Sequence, residues 1–210
     1  MSNRFIAIEG NIGAGKTSLA KLLSDEYNAR LILEQFEQNS FLPLFYKEPE
    51  RYAFPLEMSF LADRYQQLKG QLSSPGLFQT QIVSDYFISK SLIFARKTLK
   101  ADEYKLYSRL FNIISSSLPK PDLLVYLYSD IPHLQENIKK RGRAYEQKIE
   151  DEYLEKIQSS YFEFIRTQQS LAILIIDNSK LDFVSSHKDF EKIKSIIDQD
   201  HTQGIHRYSF

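Results

Sequence analysis

Eight consecutive residues, Gly10-Asn11-Ile12-Gly13-Ala14-Gly15-Lys16-Thr17, constrain this chain more than any other feature. They match G-x-x-x-x-G-K-[ST] at every fixed position. Residues 4–9 before them (RFIAIE) read as a short buried strand, and Leu19, Leu22 and Leu23 after them fall at helical spacing. A glycine-rich turn between a strand and a helix lets successive backbone N–H groups converge on one concavity, with the positive end of the helix dipole behind it. Such a loop holds the phosphates of a nucleoside triphosphate. Lys16 reaches the β- and γ-phosphates, and the Thr17 hydroxyl serves a Mg²⁺ ion.

Further strands are expected at 30–34 (RLILE), 123–127 (LLVYL) and 171–176 (LAILII), with a weaker one at 78–84 (FQTQIVS). Four helical faces separate them: Leu61, Tyr65, Leu68 and Leu72; Leu106, Leu110, Ile114 and Leu118; Ile131, Leu134 and Ile138; Leu154, Ile157, Tyr161 and Phe164. Pro119 and Pro121 end the second of these. Strands alternating with helices build βαβ units, so the fold class is α/β, a parallel sheet with helices on both faces. With 210 residues and no repeat or linker, the chain is expected to form one domain over 1–200, followed by a patternless tail at 201–210.

Composition narrows the partners. Lys plus Arg and Asp plus Glu number 27 each, so the net charge is zero and no nucleic-acid partner is expected. The absence of cysteine removes disulfides, thiolate zinc sites and a cysteine nucleophile. His133, His187, His201 and His206 form no metal-ligand pattern. Apolar runs such as Leu171 to Ile176 fall far short of the roughly 20 residues that span a bilayer. The chain enters its first strand with no signal-peptide pattern, so a cytoplasmic protein without a membrane partner is expected.

Three segments in order, GNIGAGKT (10–17), FYKEPERYAF (45–54) and RGRAYEQ followed by EYLEKI (141–157), resemble the deoxynucleoside kinase family. The resemblance runs from about residue 4 to about residue 165. It implies a P-loop kinase fold: a five-stranded parallel sheet flanked by helices, with a short arginine lid, usually in a homodimer. It also implies transfer of the γ-phosphate of ATP, with Mg²⁺, to the 5′-hydroxyl of a deoxyribonucleoside. By position, Glu34 corresponds to the general base that accepts the hydroxyl proton. Its place at the C-terminal end of a parallel strand is where ligands of open α/β sheets bind. Tyr46 and Glu146 correspond to the pair that holds the sugar 3′-hydroxyl. Arg64 corresponds to an arginine near the base and the catalytic acid, and Phe94 to the aromatic on which the nucleobase stacks. The run Lys139-Lys140-Arg141-Gly142-Arg143 corresponds to the lid, whose Arg141 and Arg143 offset charge on the transferring phosphates.

Two positions depart from the family pattern. Where members carry Glu-Arg-Ser or Asp-Arg-Ser, this chain has Asp85-Tyr86-Phe87. Asp85 is still expected to hold Mg²⁺, directly or through water. The arginine is missing, and Lys90 is expected to supply part of its charge. The second departure is Glu57, at a position that is often glutamine. An ionised glutamate only accepts hydrogen bonds, so it favours bases that present N–H donors. Purine deoxynucleosides such as deoxyadenosine or deoxyguanosine are therefore expected to be preferred and thymidine disfavoured. A desolvated glutamate that takes up a proton would instead imitate the amide.

A nucleoside monophosphate kinase of thymidylate type is the alternative within the fold. It needs cations for the acceptor's own phosphate, and residues 41–66 hold only Lys47, Arg51 and Arg64. A nucleotide-binding switch is the alternative in another class. Its guanine-selecting Asn-Lys-x-Asp is here Asn178-Ser179-Lys180-Leu181-Asp182, with the spacing wrong, and no Asp-x-x-Gly occurs.

Overall fold

The computed structural model describes residues 4–35, 39–72, 81–144 and 146–210. The elements run β1 (Arg4–Gly10), α1 (Lys16–Glu26), β2 (Arg30–Ile32), α2 (Leu42–Lys47), α3 (Pro49–Leu72), β3 (Gln81–Ser84) and α4 (Ser89–Thr98). They continue with α5 (Ala101–Ser115), β4 (Leu123–Tyr128), α6 (Ile131–Arg141), α7 (Asp151–Thr167), β5 (Ala172–Asp177), α8 (His187–Ile197) and β6 (Gly204–Tyr208). The chain divides into two compact units, one of Met1–Leu33, Gly76–Tyr86 and Lys120–Phe210, the other of Glu34–Pro75 and Phe87–Pro119.

The first unit carries a wholly parallel sheet in the order β2-β3-β1-β4-β5-β6. β1 lies inside it, and all of its residues after Arg4 are buried, which is why they read as a continuous apolar run. Ile8, Val125 and Leu174 pack with Leu19 and Leu23 of α1, Leu134 and Ile138 of α6, Leu154 of α7 and Ile193 of α8. Each fully buried leucine or isoleucine contributes about 1.5–3 kcal/mol.

Several expectations differ from the structure. The sheet has six strands, not five, because Gly204–Tyr208 pairs with β5 in the register Ala172↔Gly204. The segment expected to be a patternless tail is thus partly an edge strand. With one neighbour, it alternates exposed and half-buried residues and shows no apolar run. In the weaker strand expected at 78–84, β3 covers 81–84, and residues 78–80 lie outside the described ones. The face expected on α5 is turned by one residue. Tyr107 and Phe111 are buried while Leu106 is 48% exposed. On α7 the buried row ends in Ile165 rather than Phe164.

The second unit is helical, from α2 to α5. Leu56, Leu61 and Leu68 of α3, Ile93 of α4 and Tyr107 and Phe111 of α5 are among its buried apolar side chains. Asn39 ties the entry of α2 to α3, its Nδ2 donating to Ser59 Oγ at 2.6 Å and its Oδ1 accepting from the Phe41 N–H at 2.9 Å. Among the described residues, no helix is long and apolar enough to cross a membrane.

Candidate active site

In the first unit the loop after β1 is shaped as its glycines demand. Gly13 and Gly15 have φ of +84° and +87°, a region that residues with a Cβ rarely adopt. A Cβ on Gly13 would lie 2.6 Å from the Leu134 carbonyl oxygen, and one on Gly15 would lie 2.7 Å from the Phe183 ring. Gly15 also caps α1, whose first turn carries no acidic residue and no side-chain cap. The N–H groups of that turn, at the positive end of the helix dipole, suit an anion.

Asparagine side chains hold the loop from outside. Asn137 Nδ2 donates to the Gly13 carbonyl at 2.9 Å, Asn178 Nδ2 to the Ala14 carbonyl at 3.2 Å, and Asn11 Nδ2 to the Leu154 carbonyl at 2.8 Å. Asn11 Oδ1 accepts from the Ile12 N–H at 2.9 Å, and Lys16 Nζ donates to the Asn11 carbonyl at 2.8 Å. Thr17 Oγ1 donates to Asp85 Oδ2 at 2.6 Å. A hydroxyl beside a carboxylate that is only 5% exposed is a set of hard oxygen donors, and it fits Mg²⁺.

The same unit carries the basic run. α6 places Lys139, Lys140 and Arg141 in its last turn and ends at Gly142, with φ of +72°. Cations are favoured there by the helix dipole. Arg141 pairs with Glu146 in a short contact, and Arg143 Nη1 lies 3.5 Å from the other oxygen of that carboxylate. Glu146 is thus joined to the two arginines expected in the lid. Its expected companion on a sugar hydroxyl, Tyr46, belongs to the second unit, where it is 39% exposed on α2 and lies edge-on to Phe45.

The second unit gathers Glu34, Glu57, Arg64, Lys90 and Phe94. Arg64 holds Glu34 Oε1 with Nε at 2.8 Å and Nη2 at 2.7 Å. Its Nη1 donates to Ser91 Oγ at 2.7 Å. Lys90 pairs with Glu34 Oε2 and sits 5.6 Å from the centre of the half-buried Phe94 ring. Burial by itself raises the Glu34 carboxyl, but Lys90 and Arg64 outweigh it and bring it down to about 2. Glu34 is therefore ionised at any working pH. A carboxylate this acidic accepts a hydrogen bond and orients its donor more effectively than it removes a proton, which suits a loose phosphoryl-transfer transition state. A cavity of about 460 Å³ opens on it, lined among others by Glu34, Phe60, Asp63, Arg64 and Gln67.

Glu57 differs in kind. Only 3% exposed, it takes one hydrogen bond on Oε1, from Thr98 Oγ1 at 2.8 Å, and Oε2 is buried without a partner among the described residues. Burial raises it to about 7 against the opposing influence of Arg64, the Thr98 hydrogen bond and Lys90.

Sequence reasoning missed Ser91, Thr98, Asn137 and Asn178. Ser91 and Thr98 lie on α4 one residue and two turns beyond Lys90, and nothing in their spacing marks them. Asn178 stood out in the sequence only as a broken guanine-selecting pattern. Its side chain instead joins the Ala14 carbonyl to Ser129, whose Oγ donates to Asn178 Oδ1 at 2.6 Å.

The chain is 40% identical to a deoxyguanosine kinase of Bacillus subtilis over 92% of its own length and 95% of the relative's. A deoxyadenosine/deoxycytidine kinase of the same organism is 29% identical, over 94% and 91%. Among solved structures, a deoxyadenosine kinase from M. mycoides with bound dATP superposes with a TM-score of 0.80 at 24% identity, over 93% of this chain and all of that one (100%). The pattern of the deoxynucleoside kinases matches residues 6–202. A phosphate loop on β1, a doubly paired glutamate after β2 and this match over most of its length place the chain in the deoxynucleoside kinase family.

Proposed function

We propose that this protein transfers the γ-phosphate of ATP to the 5′-hydroxyl of a deoxyribonucleoside in nucleotide salvage, with a purine base favoured over thymine. The hydroxyl oxygen bonds to the γ-phosphorus, the bond from that phosphorus to the β,γ-bridging oxygen breaks, and the hydroxyl proton, hydrogen-bonded to Glu34 throughout, passes to it late, as the new bond to phosphorus makes that hydroxyl strongly acidic. The observation that carries this reading is Glu34, held on both oxygens by Arg64 and Lys90 beside a cavity. It gives the incoming hydroxyl one direction.

Lys16, Arg141 and Arg143 take the phosphates of ATP, along with the backbone N–H groups from Gly10 to Thr17. Thr17 and Asp85 hold Mg²⁺, which would neutralise charge on those phosphates. Tyr46 and Glu146 take the sugar, and Glu57, Arg64 and Phe94 the base. The two units serve as one kinase domain, which works as a cytoplasmic homodimer. The purine preference draws support from the Bacillus subtilis deoxyguanosine kinase at 40% identity. A monophosphate acceptor is disfavoured because Arg64, the buried cation of residues 41–66, is committed to Glu34 and Ser91.

Incubation with labelled ATP, Mg²⁺ and each deoxynucleoside tests this. Deoxyguanosine or deoxyadenosine 5′-monophosphate is the expected product. Phosphorylation of thymidylate but of no nucleoside, or ATP binding without transfer to any acceptor, would overturn it.

A further inference from the structure

The Glu57 carboxyl is an anomaly in an otherwise saturated cluster. Four groups around it carry charge or a titratable proton: Arg64 on its own helix, Glu34 after β2, Lys90 on α4 and Tyr107 on α5, whose hydroxyl donates to the Glu57 carbonyl at 3.3 Å. Arg64 and Lys90 are both engaged by Glu34. Their charge is therefore largely offset at Glu57, and burial prevails there.

Thr98 breaks the symmetry of the carboxyl. Its hydroxyl donates to Oε1, so a proton on Glu57 sits on the unpartnered Oε2. Protonation then changes the sign of one hydrogen-bonding position. Ionised, Oε2 accepts; neutral, it donates.

We propose that Glu57 and Thr98 form a proton-gated base reader, in which Oε2 accepts from a base N–H when the carboxyl is ionised and donates to a base carbonyl or ring nitrogen when it is neutral. This rests on the kinase reading and on Glu57 meeting the base. Guanine offers N–H donors beside a carbonyl, and adenine an amino group beside a ring nitrogen, so purines suit both states. Thymine offers one imide N–H between two carbonyls, which an anionic oxygen repels, so thymidine needs the neutral state. Thr98 is a positioning residue: it directs the proton to Oε2 and, by favouring the ionised form, sets where the change falls.

Burial places that change near neutrality, while Glu34 ionises far below it and Arg64 and Tyr107 titrate far above it. The kcat/KM of each substrate reports groups of the free enzyme.

The test is a competition of thymidine against deoxyguanosine with ATP and Mg²⁺, from pH 6 to pH 8.5, with both monophosphates quantified. The thymidine-to-deoxyguanosine ratio of kcat/KM is expected to fall about 30-fold over that range, since each unit above the midpoint removes about nine-tenths of the neutral form. Glu57→Gln, which always presents a donor and an acceptor, should make the ratio independent of pH. Thr98→Val removes a hydrogen bond to the ionised form and should move the midpoint to higher pH. A flat ratio in the unmodified enzyme, the same fall in Glu57→Gln, an unmoved midpoint in Thr98→Val, or no thymidine product at any pH would each overturn the proposal. Deoxyguanosine phosphorylation is the internal control: its absence would count against the kinase reading instead.

Discussion

Lys90 and Glu34 form an ion pair in which the side chains are only 12% and 10% exposed. Lys90 stands one helical turn past the place where the family's arginine is missing, and its ammonium holds the carboxylate oxygen that Arg64 leaves open. Without Lys90, Glu34 keeps Arg64 on Oε1 but loses the cation on Oε2. Lys90→Ala should therefore lower kcat at least tenfold, with little change in KM for ATP, and cost stability, though less than the roughly 3–5 kcal/mol of a buried charge left with no partner. Lys90→Arg should restore much of both. Unchanged turnover in Lys90→Ala would remove Lys90 from any part in positioning Glu34.

Glu34→Gln keeps the shape and removes the charge. Turnover should fall by about a hundredfold or more while deoxynucleoside still binds, as steady-state kinetics and calorimetry would reveal. Acid stability supplies an independent measurement. The folded carboxyl, at about 2, lies below its ordinary value of 4.5, so its contribution is present above pH 4.5 and is lost as the pH falls toward 2. Acid unfolding of Glu34→Gln should lack that component.

Glu57 behaves in the opposite sense. Its folded carboxyl is raised from 4.5 to about 7 and binds a proton more tightly than the unfolded chain does. Stability is therefore full below pH 4.5 and declines as the pH rises toward 7. Glu57→Gln has no charge to bury. Above pH 7 it should be more stable than the unmodified protein by an amount on the order of 3 kcal/mol, and the two should converge in acid. Melting temperatures measured from pH 5 to pH 8 check this.

Thr17 and Asp85 share a 2.6 Å hydrogen bond at the mouth of the phosphate loop. Asp85→Asn keeps a partner for the hydroxyl but removes the charge, so the Mg²⁺ concentration for half-maximal activity should rise about tenfold or more. A Mg²⁺ titration of activity measures it. An unchanged requirement would show that Asp85 has no hold on the ion.

Gly13 and Gly15 leave no room for a Cβ, since the Leu134 carbonyl and the Phe183 ring lie within 2.7 Å of where it would stand. Gly13→Ala should cost about 1–3 kcal/mol through its φ of +84° alone, and weaken ATP binding as the loop shifts. Thermal melts with and without ATP separate the two effects.

Local order in the chain is sufficient for much of this. A phosphate loop acts through contiguous residues, so Gly10 to Thr17 announce themselves, and strands buried on both faces, such as Leu123–Tyr128, read as apolar runs. The edge strand Gly204–Tyr208 escapes because half of it faces solvent, and α5 misleads because exposed Leu106 and half-buried Leu110 and Ile114 repeat at the same period as Tyr107 and Phe111. The charge states of Glu34 and Glu57 belong to tertiary structure alone. Both are glutamates in one helical unit, yet one takes two cations on its oxygens and the other a single hydroxyl. Electrostatic balance depends on distance and burial, and those are settled only when residues far apart in the chain are brought within about 3 Å.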